Sequence, residues 1–304
     1  MQNVANPAAR SRLLLKDKNK QVITGFLFTL PAIALIIVFL VLPALLALVY
    51  SLLRYNMMRP QAIKFVGFSN YLTILQDPTF LKALLNTMYF TVIVVPVQGG
   101  LALLLAVLCN QRVLTSKAAR IAFFSPVIMS MTVIAILWTF LLSSTGIFNT
   151  LLHSIGIPQQ PFLVSDKQAM NSIILLSVWQ AAGYQMMIFL AGLQNVEQEQ
   201  YEAADLDGVN PFQKFWYITL PSIRNVTYFV VLITTIQAFK LFTQPYVMTK
   251  GGPNESTQTV ILTIFQQGFQ YRNVGYSSAM SIIFFLVIFA ASMIIQKVGA
   301  DKNA

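Results

Sequence analysis

Five stretches of more than twenty residues carry no charged side chain, and a sixth is interrupted by one lysine. A helix needs ~20 apolar residues to cross the ~30 Å hydrocarbon core of a bilayer. Inside that core every backbone N–H and C=O must be bonded within the segment, so a single apolar stretch crosses as a helix. The chain is therefore expected to be an all-α membrane protein. Its surface chemistry agrees: charged residues make up 10% of the 304, against about 25% in soluble domains. So few charges cannot clothe a water-exposed surface. This excludes an ordinary soluble enzyme, a disordered chain and a nucleic-acid-binding domain, although 20 Lys+Arg against 10 Asp+Glu give a net charge of +10.

Six spans follow from the runs. They are Gln21–Leu53, Ala83–Gln111, Ile121 to about Leu142, a segment within Gln168–Val196, Asn225 to about Met248 with Lys240 inside it, and a segment within Asn273–Gln296. The third run stays free of charge to Ser165, too long for one crossing, and the polar, turn-forming stretch Ser143–Pro161 breaks it. The first run follows a basic tail over 1–20. It is too long for a signal-peptide core and reads as a retained helix opening a membrane domain over 21–304. With the N-terminus inside, twelve Lys and Arg fall on the inner side (Arg10, Arg12, Lys16, Lys18, Lys20, Arg112, Lys117, Arg120, Lys214, Arg224, Lys297, Lys302). Seven fall outside (Arg54, Arg59, Lys64, Lys82, Lys167, Lys250, Arg272). That bias places both termini in the cytoplasm.

Catalytic and metal chemistry finds little material. One cysteine, Cys109, and one histidine, His153, rule out a disulfide framework, a zinc cluster and His-based metal sites. No Gly-rich phosphate loop is present, so the chain has no visible means of hydrolysing a nucleotide and no cofactor is expected on it.

Five of the ten acidic residues crowd into one segment: Glu197, Glu199, Glu202, Asp205 and Asp207. Residues 197–207 favour helix. Gly208 is a natural stop, because glycine enters the left-handed conformation without strain. Asn210-Pro211 reads as the cap and first residue of a second short helix, with Leu220-Pro221 ending it before span five. The expected shape is an elbow of two helices. Ala203 and Ala204 would leave a bare face on the first, open to close approach by another backbone, with Glu202 beside it to pair with a partner's cation. On these residues alone a solvated linker helix is an equal alternative.

The same segment carries a resemblance. Glu202-Ala203-Ala204, three residues, Gly208, nine residues, then Ile218-x-Leu220-Pro221 resembles the cytoplasmic coupling loop in membrane subunits of binding-protein-dependent ABC importers. The resemblance implies a type I ABC importer permease fold, with the loop 197–221 docked on an ATP-hydrolysing subunit. Glu202, Ala203, Ala204 and Gly208 would form the docking surface, and Asp205, Leu220 and Pro221 belong to the same coupling set. The run from Leu241 to Pro253 (Leu-Phe-Thr-Gln-Pro-Tyr-Val-Met-Thr-Lys-Gly-Gly-Pro), Thr257, and Gly275-Tyr276-Ser277-Ser278-Ala279 are similar to carbohydrate importers of the maltose, lactose and glycerol-phosphate type. Many of those carry Asp where this chain has Thr243. The implied partners are a second permease subunit, two ATP-binding subunits holding ATP and Mg, an extracytoplasmic solute-binding protein and a sugar, in a bacterial inner (plasma) membrane.

Polar side chains within a span are costly and usually face a cavity or a protein interior. Ser177, Gln180, Ala181 and Tyr184 recur at i, i+3, i+4 and i+7, and so do Gln237, Lys240, Leu241 and Gln244. Each set is expected to share one helical face. Ser177, Gln180, Tyr184, Gln237, Lys240, Leu241 and Gln244 are the candidate substrate-lining residues. Hydrogen bonding between helices is the competing role for the amides, and snorkelling to the interface for Lys240. A rival function, an ion-coupled secondary transporter of small polar solutes, requires acidic residues within the spans, and no Asp or Glu lies in any of them.

Overall fold

The structure, a computed structural model, describes residues 24–110 and 115–300. The basic tail 1–20 lies outside the described residues, as do Arg112 and Lys302. Helix α1 spans Thr24–Ser51 and includes a π-helical turn at Ile37–Val41. A two-stranded antiparallel hairpin follows, β1 (Leu53–Arg54) on β2 (Lys64–Phe65), with Leu53 opposite Phe65. Then come α2 (Ser69–Gln76), α3 (Pro78–Asn110), α4 (Thr115–Ile128), α5 (Met131–Leu141), α6 (Ile147–Ser154) and α7 (Ala169–Gln194). The elbow is α8 (Gln198–Leu206) and α9 (211–222), and the chain finishes with α10 (Arg224–Phe239), α11 (Thr243–Met248), α12 (Val260–Phe265) and α13 (Val274–Ala300).

Five helices among the described residues are long and apolar enough to cross a membrane, and α4 with α5 makes a sixth crossing only as a bent pair. The expected straight third span is thus corrected: the two halves meet at 97°. Ser130 sets the bend with extended backbone (φ −60, ψ 126), which no helix can continue through. The second span also starts earlier than expected, at Pro78, and carries Lys82 in its first turns.

Helix α7 is the axis of the bundle. Sixteen of its residues are buried, from Ala169 to Leu193. Against it lies the buried stripe of α3, which recurs every three or four residues (Phe90, Val94, Gln98, Ala102, Ala106, Cys109). Ala102 and Ala106, both at 0% exposure, keep the crossing narrow. Gly183 does the same on the other side of α7: a Cβ there would stand 2.9 Å from the Phe123 carbonyl carbon of α4. Three apolar clusters result. One gathers Phe90, Ile134, Trp138 and Ile173; a second gathers Ala106, Met186, Phe189 and Ile223; a third gathers Phe80, Phe239, Met280 and Phe284. Cys109 packs in the second. The segment expected as an outer loop around His153 instead contains α6, on which His153 is exposed.

Candidate functional site: a polar recess and a protruding elbow

Beside α7 opens a recess of about 180 Å³ whose walls come from α3, α7, α10 and α11. Ser177, Gln180 and Ala181 of α7 line it, together with Gln237, Lys240, Leu241 and Gln244. Gln98, Thr234, Phe242 and Thr243 join them. Tyr184 does not; it stands one turn beyond Gln180, 38% exposed and outside the lining.

The fifth crossing reaches the recess by a different route from the one its spacing predicts. Rather than one continuous helix, α10 ends at Phe239, Lys240 caps it (φ −82, ψ 15), and α11 restarts at Thr243 after Phe242 turns out of helical geometry (φ −141, ψ −55). The break turns Phe242 and Thr243 into the recess as well, which i, i+3, i+4 spacing does not anticipate. Thr259 Oγ1 donates to the Leu241 carbonyl at 2.9 Å, meeting an acceptor that the break leaves free of helix bonding.

Hydrogen bonds fix most of the lining. Gln244 Nε2 donates to Ser177 Oγ at 3.3 Å, and Ser177 Oγ donates to the Ile173 carbonyl at 2.7 Å. Gln180 Nε2 donates to the Pro126 carbonyl at 3.3 Å, bridging to the bent α4. Behind the wall, fully buried Gln185 donates from Nε2 to Thr234 Oγ1 at 3.3 Å and to Gln237 Oε1 at 3.5 Å. Its own Oε1 has no partner. Sequence reasoning missed Gln98 and Gln185, yet the cue existed: an amide in a charge-free run is itself unusual.

The elbow lies at the other functional end. Helix α8 ends with Asp207 as its cap, and Gly208 adopts φ +71, the left-handed turn that lets the chain reverse. Asn210 and Gln213 form a reciprocal capping box at the start of α9, with Pro211 in the first turn. Asp205 and Lys214 make an ion pair across the two helices, the only one among the described residues. Tyr201 Oη and Thr219 Oγ1 add a hydrogen bond at 2.9 Å. The second helix ends within one residue of Leu220-Pro221, before α10 begins at Arg224. It runs through to Ser222, with a π-helical turn over Phe215–Thr219 just before Pro221. Proline cannot supply the N–H that an α-helical turn needs there, and the wider turn accommodates that loss.

The two alanines differ in exposure: Ala203 is exposed and Ala204 is 7% exposed. Glu202, Ala203, Asp205, Leu206 and Gly208 make the outward surface, and Leu206, which sequence reasoning passed over, is 90% exposed. Leu220 and Pro221 sit at the base of the return helix, half-buried and exposed respectively.

A helical membrane bundle with a polar recess in one wall and a charged elbow at one end describes a transport subunit. The family model described as "Binding-protein-dependent transport system inner membrane component" matches residues 72–301, and the chain belongs to that family. It is thus a multi-pass inner membrane protein. Among curated relatives it is 33% identical over 284 residues to the probable ABC transporter permease protein YurN of Bacillus subtilis (92% of this chain, 97% of that one). It is 34% identical to the arabinooligosaccharides transport system permease protein AraP of the same organism (91% and 88%). It is 35% identical to the lactose transport system permease protein LacF of Rhizobium radiobacter (90% and 92%). The fold matches that of a chain from the crystal structure of a bacterial ABC transporter involved in the import of the acidic polysaccharide alginate. The TM-score is 0.82, the identity 23%, and the match covers 95% of this chain and 99% of that one.

Proposed function

We propose that this chain is one of two membrane subunits of an ATP-driven carbohydrate importer. One of two ATP-binding subunits, which carry ATP and Mg, docks on the elbow, and an extracytoplasmic solute-binding protein delivers the sugar at the opposite face. Both termini are cytoplasmic. Sugar passes along the polar recess, which the second permease subunit completes. Curated relatives whose names specify arabinooligosaccharides and lactose support the substrate class. The recess, about 180 Å³, is smaller than the about 300–1,000 Å³ of a complete small-molecule site, as one half of a shared pathway would be.

The observation that carries the reading is the elbow. Half of the chain's ten acidic residues and a leucine 90% exposed project together on a chain otherwise poor in charge. A ligand shifts a conformational equilibrium only through a differential contact with its two states. The elbow provides that contact: closure of the ATP-binding subunits moves α8 and α9, and Asp205–Lys214, with the capping box, makes them travel as one body. The recess then faces alternate sides. Coexpression of the four components tests this. Leu206→Glu is expected to lose the copurifying ATPase and sugar-dependent ATP hydrolysis while the membrane subunit still accumulates. Full copurification and transport with Leu206→Glu would end the docking assignment.

A further inference from the structure

Resting on the importer reading above, we infer that the recess selects a saccharide bearing a carboxylate or phosphate group, which Lys240 meets among the neutral amides of Gln98, Gln180, Gln237 and Gln244. Lys240 is the only charged side chain in the lining, and it is exposed to it. No carboxylate of the described residues stands with it. Asp77 accepts from Tyr276 and Thr79, Glu255 accepts from Thr79, Asp166 precedes α7, and the remaining five are in the elbow segment. The one ion pair among the described residues is Lys214–Asp205. The recess therefore has a formal positive charge that no carboxylate of the described residues compensates.

Two features argue that the charge is offered to solute rather than to the membrane surface. Lys240 lines the recess together with Gln98, Ser177, Gln180, Gln237 and Gln244, whose side chains can hydrogen-bond a solute. It also caps α10 at the break before α11, whose six residues Thr243–Met248 alone span about 9 Å, more than a lysine stem spans without a water-filled path. Charges at such depth persist where they face a cavity or serve a function. The glutamines around it donate and accept, and so treat any sugar hydroxyl alike. An ammonium donates three hydrogen bonds and accepts none, and its bonds to an anion are about twice as strong as neutral ones. The asymmetry of the recess thus lies in the single group that distinguishes a charged sugar from its neutral counterpart.

The test uses the four-component importer in proteoliposomes, with a uronic-acid oligosaccharide, its methyl-esterified neutral form and a sugar phosphate as probes. The readout is the ratio of KM for neutral to KM for charged probe, which does not depend on how much of a variant folds. A charged probe is expected to be preferred. Lys240→Met is expected to raise KM for the charged probe about 10- to 100-fold and leave the neutral one unchanged, and Lys240→Arg to keep the preference. Thr243→Asp, which sets a carboxylate in the same recess, is expected to erase the preference with Lys240 intact. Import of neutral sugar with the charged probes refused, or a ratio unmoved by Lys240→Met, overturns the inference and leaves the importer reading standing. Absence of sugar-dependent ATP hydrolysis with every saccharide overturns the importer reading, and the inference with it.

Discussion

Replacing Gly208 separates what the elbow needs for its own shape from what a neighbour needs of it. Gly208 holds φ +71, and a Cβ added there meets nothing within 4 Å. Inside this chain, then, a substitution costs only the left-handed backbone, roughly 1–2 kcal/mol for an ordinary L-residue. Such a cost lowers the population of the docking-competent elbow about 5- to 30-fold. Asparagine tolerates that region and is expected to behave nearly as glycine. Alanine and arginine incur the same backbone cost here, and the Cβ that either adds meets no atom of the described residues within 4 Å. Any further loss with arginine must come from outside the chain, where bulk forced into a packed contact costs about 1–3 kcal/mol more. Titrating purified ATP-binding subunits onto the membrane subunit should rank affinity as glycine, asparagine, alanine and, far below, arginine. Arginine binding as tightly as alanine would show that nothing stands over Gly208 and would refute the docking geometry.

Three other perturbations are informative. Gln185→Leu removes an unpaired buried acceptor whose desolvation costs about 1–3 kcal/mol, so the thermal midpoint is expected to hold or rise. Gln237, released from its neighbour, should raise KM about two- to tenfold, the worth of a neutral hydrogen bond; a lower midpoint with unchanged KM would contradict the role given to Gln185. Gly183→Val must part α7 from the Phe123 backbone and is expected to lower stability by about 1–3 kcal/mol. Gly99→Ala, which meets open space, should leave a thermal melt in detergent unaltered.

The crossings were legible because absence of charge over twenty residues is a signal that only lipid explains. The 97° bend between α4 and α5 was not, since hydropathy has no direction and Met129, Ser130 and Met131 are unremarkable in composition. The elbow was legible at Gly208 and at Asn210-Pro211, where local backbone chemistry decides the outcome. Leu220-Pro221 marked the end of its second helix to within one residue, though not the π-helical turn just before Pro221. Helical spacing collected Ser177, Gln180, Gln237, Lys240 and Gln244 correctly onto one recess. It also named Tyr184, which lies outside the lining, and did not name Thr243, which follows the break at Lys240–Phe242.

Helix α1 has a consequence for how this polypeptide can be altered. From Thr24 to Leu46 every residue is exposed to the outside of the chain, and none of the three apolar clusters recruits a member from it. Only its last part, Leu42–Ser51, is gripped, along α13 and through Tyr71 and Asn70. The first two-thirds of α1 is thus a boom held out from the hull. The remaining bundle would lose almost no internal packing without it, so whatever keeps that stretch in place is lipid or another molecule.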